Sequence, residues 1–336
     1  MTSRELVKNT LEFKNTNDRV PRQLWVLPWA RTNYPDSLSK IADKYPDDIV
    51  SAPCIYKEEP KTEGSPYKMG EYIDEWGCKF INIHPGIIGE VKEPIVKDDE
   101  WCDISQVHIP VEMLTLDKEK VNEFCKSTDC FVMSGFFPRP FEQLQFIRGT
   151  ENLYMDLLDP PAEMLSFMEK MHAFYCEAVT FWAQTDVDAI MLMDDWGSQN
   201  NLLISPELWD KYFMPMYRDY INIAKKYGKK TFMHSDGCVK AIYPKLIELG
   251  LDALNSQIFC MGIDELARYS GKITFWGEID RQHILSGDSI EDVENAVKNV
   301  YEKLWKNGGC IAQFEFGPGV KPENAEKVFE TWENLR

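Results

Sequence analysis

The stretch Lys230-Thr231-Phe232-Met233-His234-Ser235-Asp236-Gly237 decides how the chain folds. An apolar run of strand length ends in side chains that carry chemistry, then turns at a glycine. The same grammar recurs through the second half. Short apolar runs at Cys130–Met133, Asp188–Met193, Lys230–Met233, Leu251–Leu254, Ile273–Trp276 and Cys310–Phe316 read as strands. Between most of them lie segments of helical period: Ala162–Gln184, Pro206–Tyr227, Val239–Leu249 and Ile290–Lys306. The last is announced by Asp288-Ser289 and stopped by Gly308-Gly309. Strand and helix in alternation imply parallel strands joined by right-handed crossovers.

A doubly wound dinucleotide binder would carry a glycine-rich first turn, and neither GxGxxG nor GxxxxGK[ST] occurs. Polar groups instead close strand after strand: Asp194-Asp195, His234-Ser235-Asp236, Asn255-Ser256-Gln257, Gly277-Glu278-Ile279-Asp280, then Gln313 and Glu315. A (β/α)8 barrel gathers its reactive side chains from several strand ends into one mouth. The expectation is an α/β protein, a single (β/α)8 TIM barrel over residues 1–336, with an irregular N-terminal extension.

Composition narrows the function classes. The 336 residues are 44% hydrophobic and 27% charged, which suits an ordinary globular chain and excludes a fibre or a disulfide scaffold. With 37 basic against 55 acidic residues the formal charge is −18. A field of that sign repels phosphate backbones and anionic lipids, so neither nucleic acid nor a membrane is an expected partner. Nine cysteines with no CxxC and no secretory signal point to free thiols and a cytoplasmic location.

Several residues invite chemistry. Alternation sends His234 and Asp236 to one side of their strand, and an imidazole beside a carboxylate suits either a zinc ion or a proton-transfer pair. Of the consecutive Asp194 and Asp195, one must face the mouth and needs a partner or a shifted pKa. Glu278 and Asp280 repeat the two-residue spacing, and Gln313 and Glu315 share a face with Ile311. Trp25, Trp29, Trp76, Trp196 and Trp276 lie beside these signals and would wall a flat or apolar ligand. Core filling is the commoner fate of a tryptophan.

From Phe232-Met233-His234-Ser235-Asp236-Gly237 through Glu248-Leu249-Gly250-Leu251-Asp252-Ala253-Leu254-Asn255 and Gln257 to Trp276-Gly277-Glu278-Ile279-Asp280, the chain resembles the uroporphyrinogen decarboxylase superfamily. Arg148-Gly149 and Asp74-Glu75-Trp76-Gly77 extend the likeness upstream. The superfamily includes the decarboxylase and the zinc methyltransferases of corrinoid-dependent methyl transfer. The resemblance implies a barrel with its site in the C-terminal mouth. Where the decarboxylase carries Arg-Gln-Ala-Gly-Arg, this chain reads Trp25-Val26-Leu27-Pro28-Trp29-Ala30-Arg31, keeping one arginine. An octacarboxylate substrate needs several bidentate cations, so the tetrapyrrole reading weakens.

The thiol-using methyltransferases hold zinc with His-x-Cys and a later Cys. Here His234 matches the histidine, Asp236 replaces the first cysteine, and the last falls near Gln313 to Glu315. The implied zinc ligands are His234, Asp236 and Glu315, a harder set. The implied reaction moves a methyl group from a small O- or N-methyl donor, such as a methoxyarene, to Co(I) on a separate corrinoid carrier protein. Asp194, Asp195, Asp236 and Glu278 are the expected catalytic groups, and Trp25, Arg31, Trp76, Trp196, Gln257 and Trp276 the expected substrate contacts. The cobalt-ligating Asp-x-His-x-x-Gly is absent, so the corrinoid would arrive on a partner. A decarboxylase of uroporphyrinogen or another carboxylate is the alternative. A non-enzymatic scaffold and a metal hydrolase rank below it.

Overall fold

The computed structural model describes residues 1–335. Eight strands make one parallel sheet: β1 (Arg22–Val26), β2 (Ile49–Ser51), β3 (Phe131–Met133), β4 (Ala189–Met193), β5 (Lys230–Ser235), β6 (Ala253–Ser256), β7 (Thr274–Trp276) and β8 (Cys310–Phe316). Each pairs with the next from β2 to β8, and β8 returns to β1 through five residue pairs from Arg22–Ala312 to Val26–Phe316. At the remaining seam β1 meets β2 largely through side chains. Asp48 N–H donates to Arg22 O at 2.9 Å, Gln23 Nε2 to Ile49 O at 3.2 Å, and Leu24 N–H to Asp47 Oδ1 at 2.8 Å. The sheet thereby curls into a nearly closed (β/α)8 barrel, as the strand-end pattern requires.

Alternation sorts the strands into two faces. Ile49, Phe131, Met133, Ala189, Met191, Phe232, Ala253, Trp276 and Ile311 fill the barrel interior, and the outward residues pack under the helices. The helix Ser3–Leu11 presses Val7 and Leu11 into the same interior cluster and plugs its lower end. Its start is a capping box between Thr2 and Glu5.

The long crossover helix Ala162–Ala183 joins β3 to β4, and Met214–Lys226 joins β4 to β5. The Ile290–Leu304 helix begins where its signal lay, with Ser289 Oγ accepting from Asp292 N–H. Two strands run further than the apolar runs suggest. β5 continues to Ser235 and β6 to Ser256, because the pairs His234–Asn255 and Ser235–Ser256 extend the ladder. His234 and Asn255 are therefore strand residues pointing inward rather than loop residues.

The irregular N-terminal third is mostly an excursion between β2 and β3. It holds a small antiparallel sheet of Glu63–Gly64, Gly70–Ile73, Lys79–Asn82 and Glu90–Val91. Asp74 closes its central hairpin by accepting from Trp76 and Cys78 N–H. Among the described residues no helix is long and apolar enough to cross a membrane.

Candidate active site in the barrel mouth

His234 sits at the inner top of β5 with its side chain 12% exposed. Its Nδ1 lies 2.6 Å from Asn255 Oδ1 on β6. Asn255 Nδ2 in turn donates to Trp276 O and to Gln313 Oε1. That amide has no choice of orientation: two acceptors face its nitrogen, so its oxygen must face the imidazole. His234 therefore carries its proton on Nδ1 when neutral, and Nε2 is left for the mouth.

Two carboxylates meet that nitrogen. Nε2 stands 3.5 Å from Asp195 Oδ1 and 3.9 Å from Asp236 Oδ1. Asp236 Oδ1 is buried and has no hydrogen-bond partner among the described residues. The three donor atoms lie within 4.8 Å of one another. Burial opposes a charge on His234, but Asp195, Asp236 and the Asn255 bond outweigh it and hold the imidazole pKa above its usual value.

The loops after β4 and β5 are locked together. Asp236 N–H donates to Asp195 Oδ1 at 2.9 Å, Gly197 N–H to Asp236 O at 3.1 Å, and Trp196 N–H to Ser235 Oγ at 3.0 Å. Gly237, at φ +76°, and Gly197 touch backbone to backbone; a Cβ on Gly237 would lie 2.1 Å from Gly197 O. Two glycines are thus what permits Asp195 and Asp236 to flank one imidazole.

The consecutive aspartates divide. Asp195 faces the mouth, its side chain 40% exposed. Asp194 points the other way and is fully buried. It accepts from Phe141 N–H at 3.2 Å and Glu142 N–H at 2.8 Å, capping the helix Pro140–Arg148, and it takes the Tyr217 hydroxyl proton bond. Burial and nearby Glu142 push its pKa well up. Asp194 is a structural cap outside the mouth, where the expectation had placed a catalytic group.

Arg281, just beyond β7, organises the other acids. Its guanidinium donates to Asp236 Oδ2 at 2.7 Å, Glu278 Oε1 at 3.1 Å and Glu315 Oε1 at 2.9 Å. Glu315 is thus tied to arginine, and Asp195, not Glu315, completes the trio around His234. Glu278 is 4% exposed, and burial, partly offset by Arg281, raises its pKa to about 7. Glu142 also rises to about 7, through burial and then the charge of Asp195, and its Oε2 is unpartnered. Arg281, Glu142 and Asn255 were not expected as site residues. The first two follow no strand-end pattern, whereas Asn255 stood in the polar punctuation of β6.

Of the expected substrate contacts, Trp25 and Gln257 reach the mouth. The Trp25 ring centroid is 5.1 Å from that of His234, and Gln257 Oε1 accepts from Gly237 N–H. Gln257 also lines a recess of about 210 Å³ with Phe259, Glu278 and Arg281. The other three tryptophans are core. Trp76 packs on Phe174 and Tyr175, and Trp196 stacks on Phe141 at 4.2 Å while donating to Tyr217. Trp276 fills the barrel interior and donates to Gln23. Arg31 is exposed and lines an outer recess with Leu24, Leu38 and Asp47, outside the barrel wall.

The donor set fits a zinc ion. One imidazole nitrogen and two carboxylate oxygens converge, one oxygen is otherwise orphaned, and Asn255 holds the far imidazole nitrogen as ligand histidines require.

Comparison with solved structures finds a methyltransferase from Methanosarcina mazei, with TM-score 0.67 and 12% identity over 100% of this chain and 99% of that one. It also finds an intracellular xylanase of Thermoanaerobacterium saccharolyticum (TM-score 0.43, 11% identity, 96% and 97% covered) and a Gloeophyllum trabeum endo-β-1,4-xylanase (0.41, 10%, 64% and 79%). The likeness to the methyltransferase is one of fold. No curated protein sequence matches the chain. The sequence pattern described as uroporphyrinogen decarboxylase (URO-D) matches residues 74–335, from the hairpin at Asp74 through every strand from β3 to β8, and the chain belongs to that family.

Proposed function

We propose that this protein is a methyltransferase that takes a methyl group from a small O- or N-methylated donor and passes it to Co(I) of a separate corrinoid protein. One observation carries the choice over a porphyrinogen decarboxylase. Arg281, a guanidinium of the mouth, already binds three carboxylates of its own chain. It is not free to meet a polycarboxylate, and the acids around it repel one. The full-length likeness to a methyltransferase supports the same reading.

The chain's own groups suit demethylation of a neutral donor. Trp25 offers a ring face beside His234 on which a methoxyarene can lie. Asp195, His234 and Asp236 would hold the zinc, whose contribution is Lewis-acid polarisation of the departing oxygen or nitrogen. An alkoxide or phenolate leaves readily only if its charge is neutralised as it forms. Burial, partly offset by Arg281, raises the Glu278 pKa to about 7, which suits it to hand over a proton for that purpose. Burial and then the charge of Asp195 raise the Glu142 pKa to about 7 as well.

The test combines purified protein, reduced free cobalamin, and a panel of methoxyarenes, methylamines and methanol. Methylation of cobalt, followed by absorbance, should require both the protein and one class of donor. His234→Ala and Glu278→Gln should each slow it by about 10²-fold or more. Release of carbon dioxide from a porphyrinogen, with no donor methylating cobalt, would replace this reading with the decarboxylase one.

A further inference from the structure

A second group of donor atoms lies in the outer helical layer, away from the barrel interior. We propose that His172, Cys176 and Asp219 form a binding site for a borderline transition-metal ion such as zinc, with water completing the coordination. His172 and Cys176 are four residues apart on Ala162–Ala183 and so share a helical face. Asp219 comes from the neighbouring helix Met214–Lys226. Cys176 Sγ lies 3.6 Å from His172 Nε2, and Asp219 Oδ2 lies 3.0 Å from the same nitrogen. All three donors fall within 4.8 Å of one another.

Those spacings match a tetrahedral ion. With metal–sulfur near 2.3 Å and metal–nitrogen near 2.0 Å, ligand atoms stand about 3.3–3.6 Å apart. The sulfur–nitrogen distance already fits. The oxygen–nitrogen distance needs to open by a few tenths of an ångström, which the half-exposed Asp219 side chain allows. Tyr220 supplies the outer contact. Its hydroxyl is 3.1 Å from His172 Nδ1 and would accept from Nδ1–H once an ion takes the place of the proton between Nε2 and Asp219. Cys176 Sγ, 3.6 Å from Nε2 and 3.8 Å from Nδ1, lies beside the ring, so a turn of the imidazole completes the set. A thiolate and an imidazole together select zinc, cobalt(II) or copper over magnesium and calcium.

Cobalt(II) is the probe that separates this site from the mouth, whose Asp195, His234 and Asp236 offer no sulfur. Titrating the tag-free, full-length protein should build a thiolate-to-cobalt charge-transfer band that saturates at one equivalent and is reversed by zinc. The band should vanish in Cys176→Ser, weaken about tenfold or more in Asp219→Asn, and persist in His234→Ala. Circular dichroism checks the fold of each variant, and Asp219→Asn, altering a half-exposed side chain, keeps the test valid if Cys176→Ser unfolds. Absence of the band in the wild type, its survival in Cys176→Ser, or undiminished affinity in Asp219→Asn would overturn the site.

Discussion

Two adjacent aspartates show how one residue's phase in the chain sets its task. Asp194 and Asp195 have the same chemistry, yet one caps a helix in the dry interior and the other faces the mouth. Their substitutions should therefore part company. Asp194→Ala removes the acceptor for two backbone N–H groups and for Tyr217, and should cost about 2 kcal/mol or more of stability. Asp195→Asn should leave the thermal midpoint almost unmoved while lowering the proposed methyl transfer and the affinity of the proposed zinc site. Denaturant melts of both variants beside rate measurements decide it; equal losses of stability would remove the distinction. The sequence carried the statement that one of the pair faces inward, but not which. Pleat phase at a strand end depends on the last paired residue, and Asp194 N–H still bonds to His234 O. His234, Asp236 and Glu315 were legible as inward because simple alternation held. Trp76, Trp196 and Trp276 misled because their burial is decided by aromatic neighbours distant in sequence, such as Phe174 and Phe141.

At the scale of elements, the site rests on the joined loops after β4 and β5. Gly197 and Gly237 let those backbones touch, and nothing larger than hydrogen fits. Gly237→Ala places a side chain at φ +76° and against Gly197 O. The left-handed backbone alone costs about 1–2 kcal/mol, and the contact adds to it. The variant should melt lower and weaken the proposed zinc site at His234, since Asp195 and Asp236 are pushed apart. Unchanged zinc affinity in a folded Gly237→Ala protein would show that the loops do not set the trio. Strand and helix positions were legible from period and caps because each element is locally consistent. β5 and β6 ran past their apolar runs because a neighbour's hydrogen bonds continued the ladder through polar residues. Arg281 escaped notice for a related reason: it lies outside any strand, and although Glu278 is only three residues away, it takes the tertiary fold to bring it to Asp236 and Glu315.

For the whole molecule, buried acids should dominate the response to pH. Asp47 and Asp74 are pushed up to about 6, Glu142 and Glu278 to about 7, and Asp194 well above its usual value, with burial the first cause in each. A carboxyl whose folded pKa exceeds its unfolded value holds its proton more tightly when folded. Between about pH 4 and 7 the native state therefore binds more protons than the unfolded one, and stability falls as pH rises through that window. The formal charge of −18 adds self-repulsion in the same direction. The midpoint of thermal unfolding should drop by several degrees from about pH 5.5 to about pH 8. A midpoint that rises over that interval would mean these carboxyls are ionised in the native protein.

The seam between β1 and β2 gives the barrel a mechanical character of its own. Elsewhere each strand is sewn to its neighbour by a main-chain ladder, whereas here Asp47, Asp48 and Gln23 lace the edges with side chains. Such a ring is less like a seamless pipe than like a clip, its two lips held by side chains. Trp25 stands on one lip, paired with Glu315 on β8. The aromatic wall beside His234 therefore hangs from the one joint of the barrel that no ladder closes.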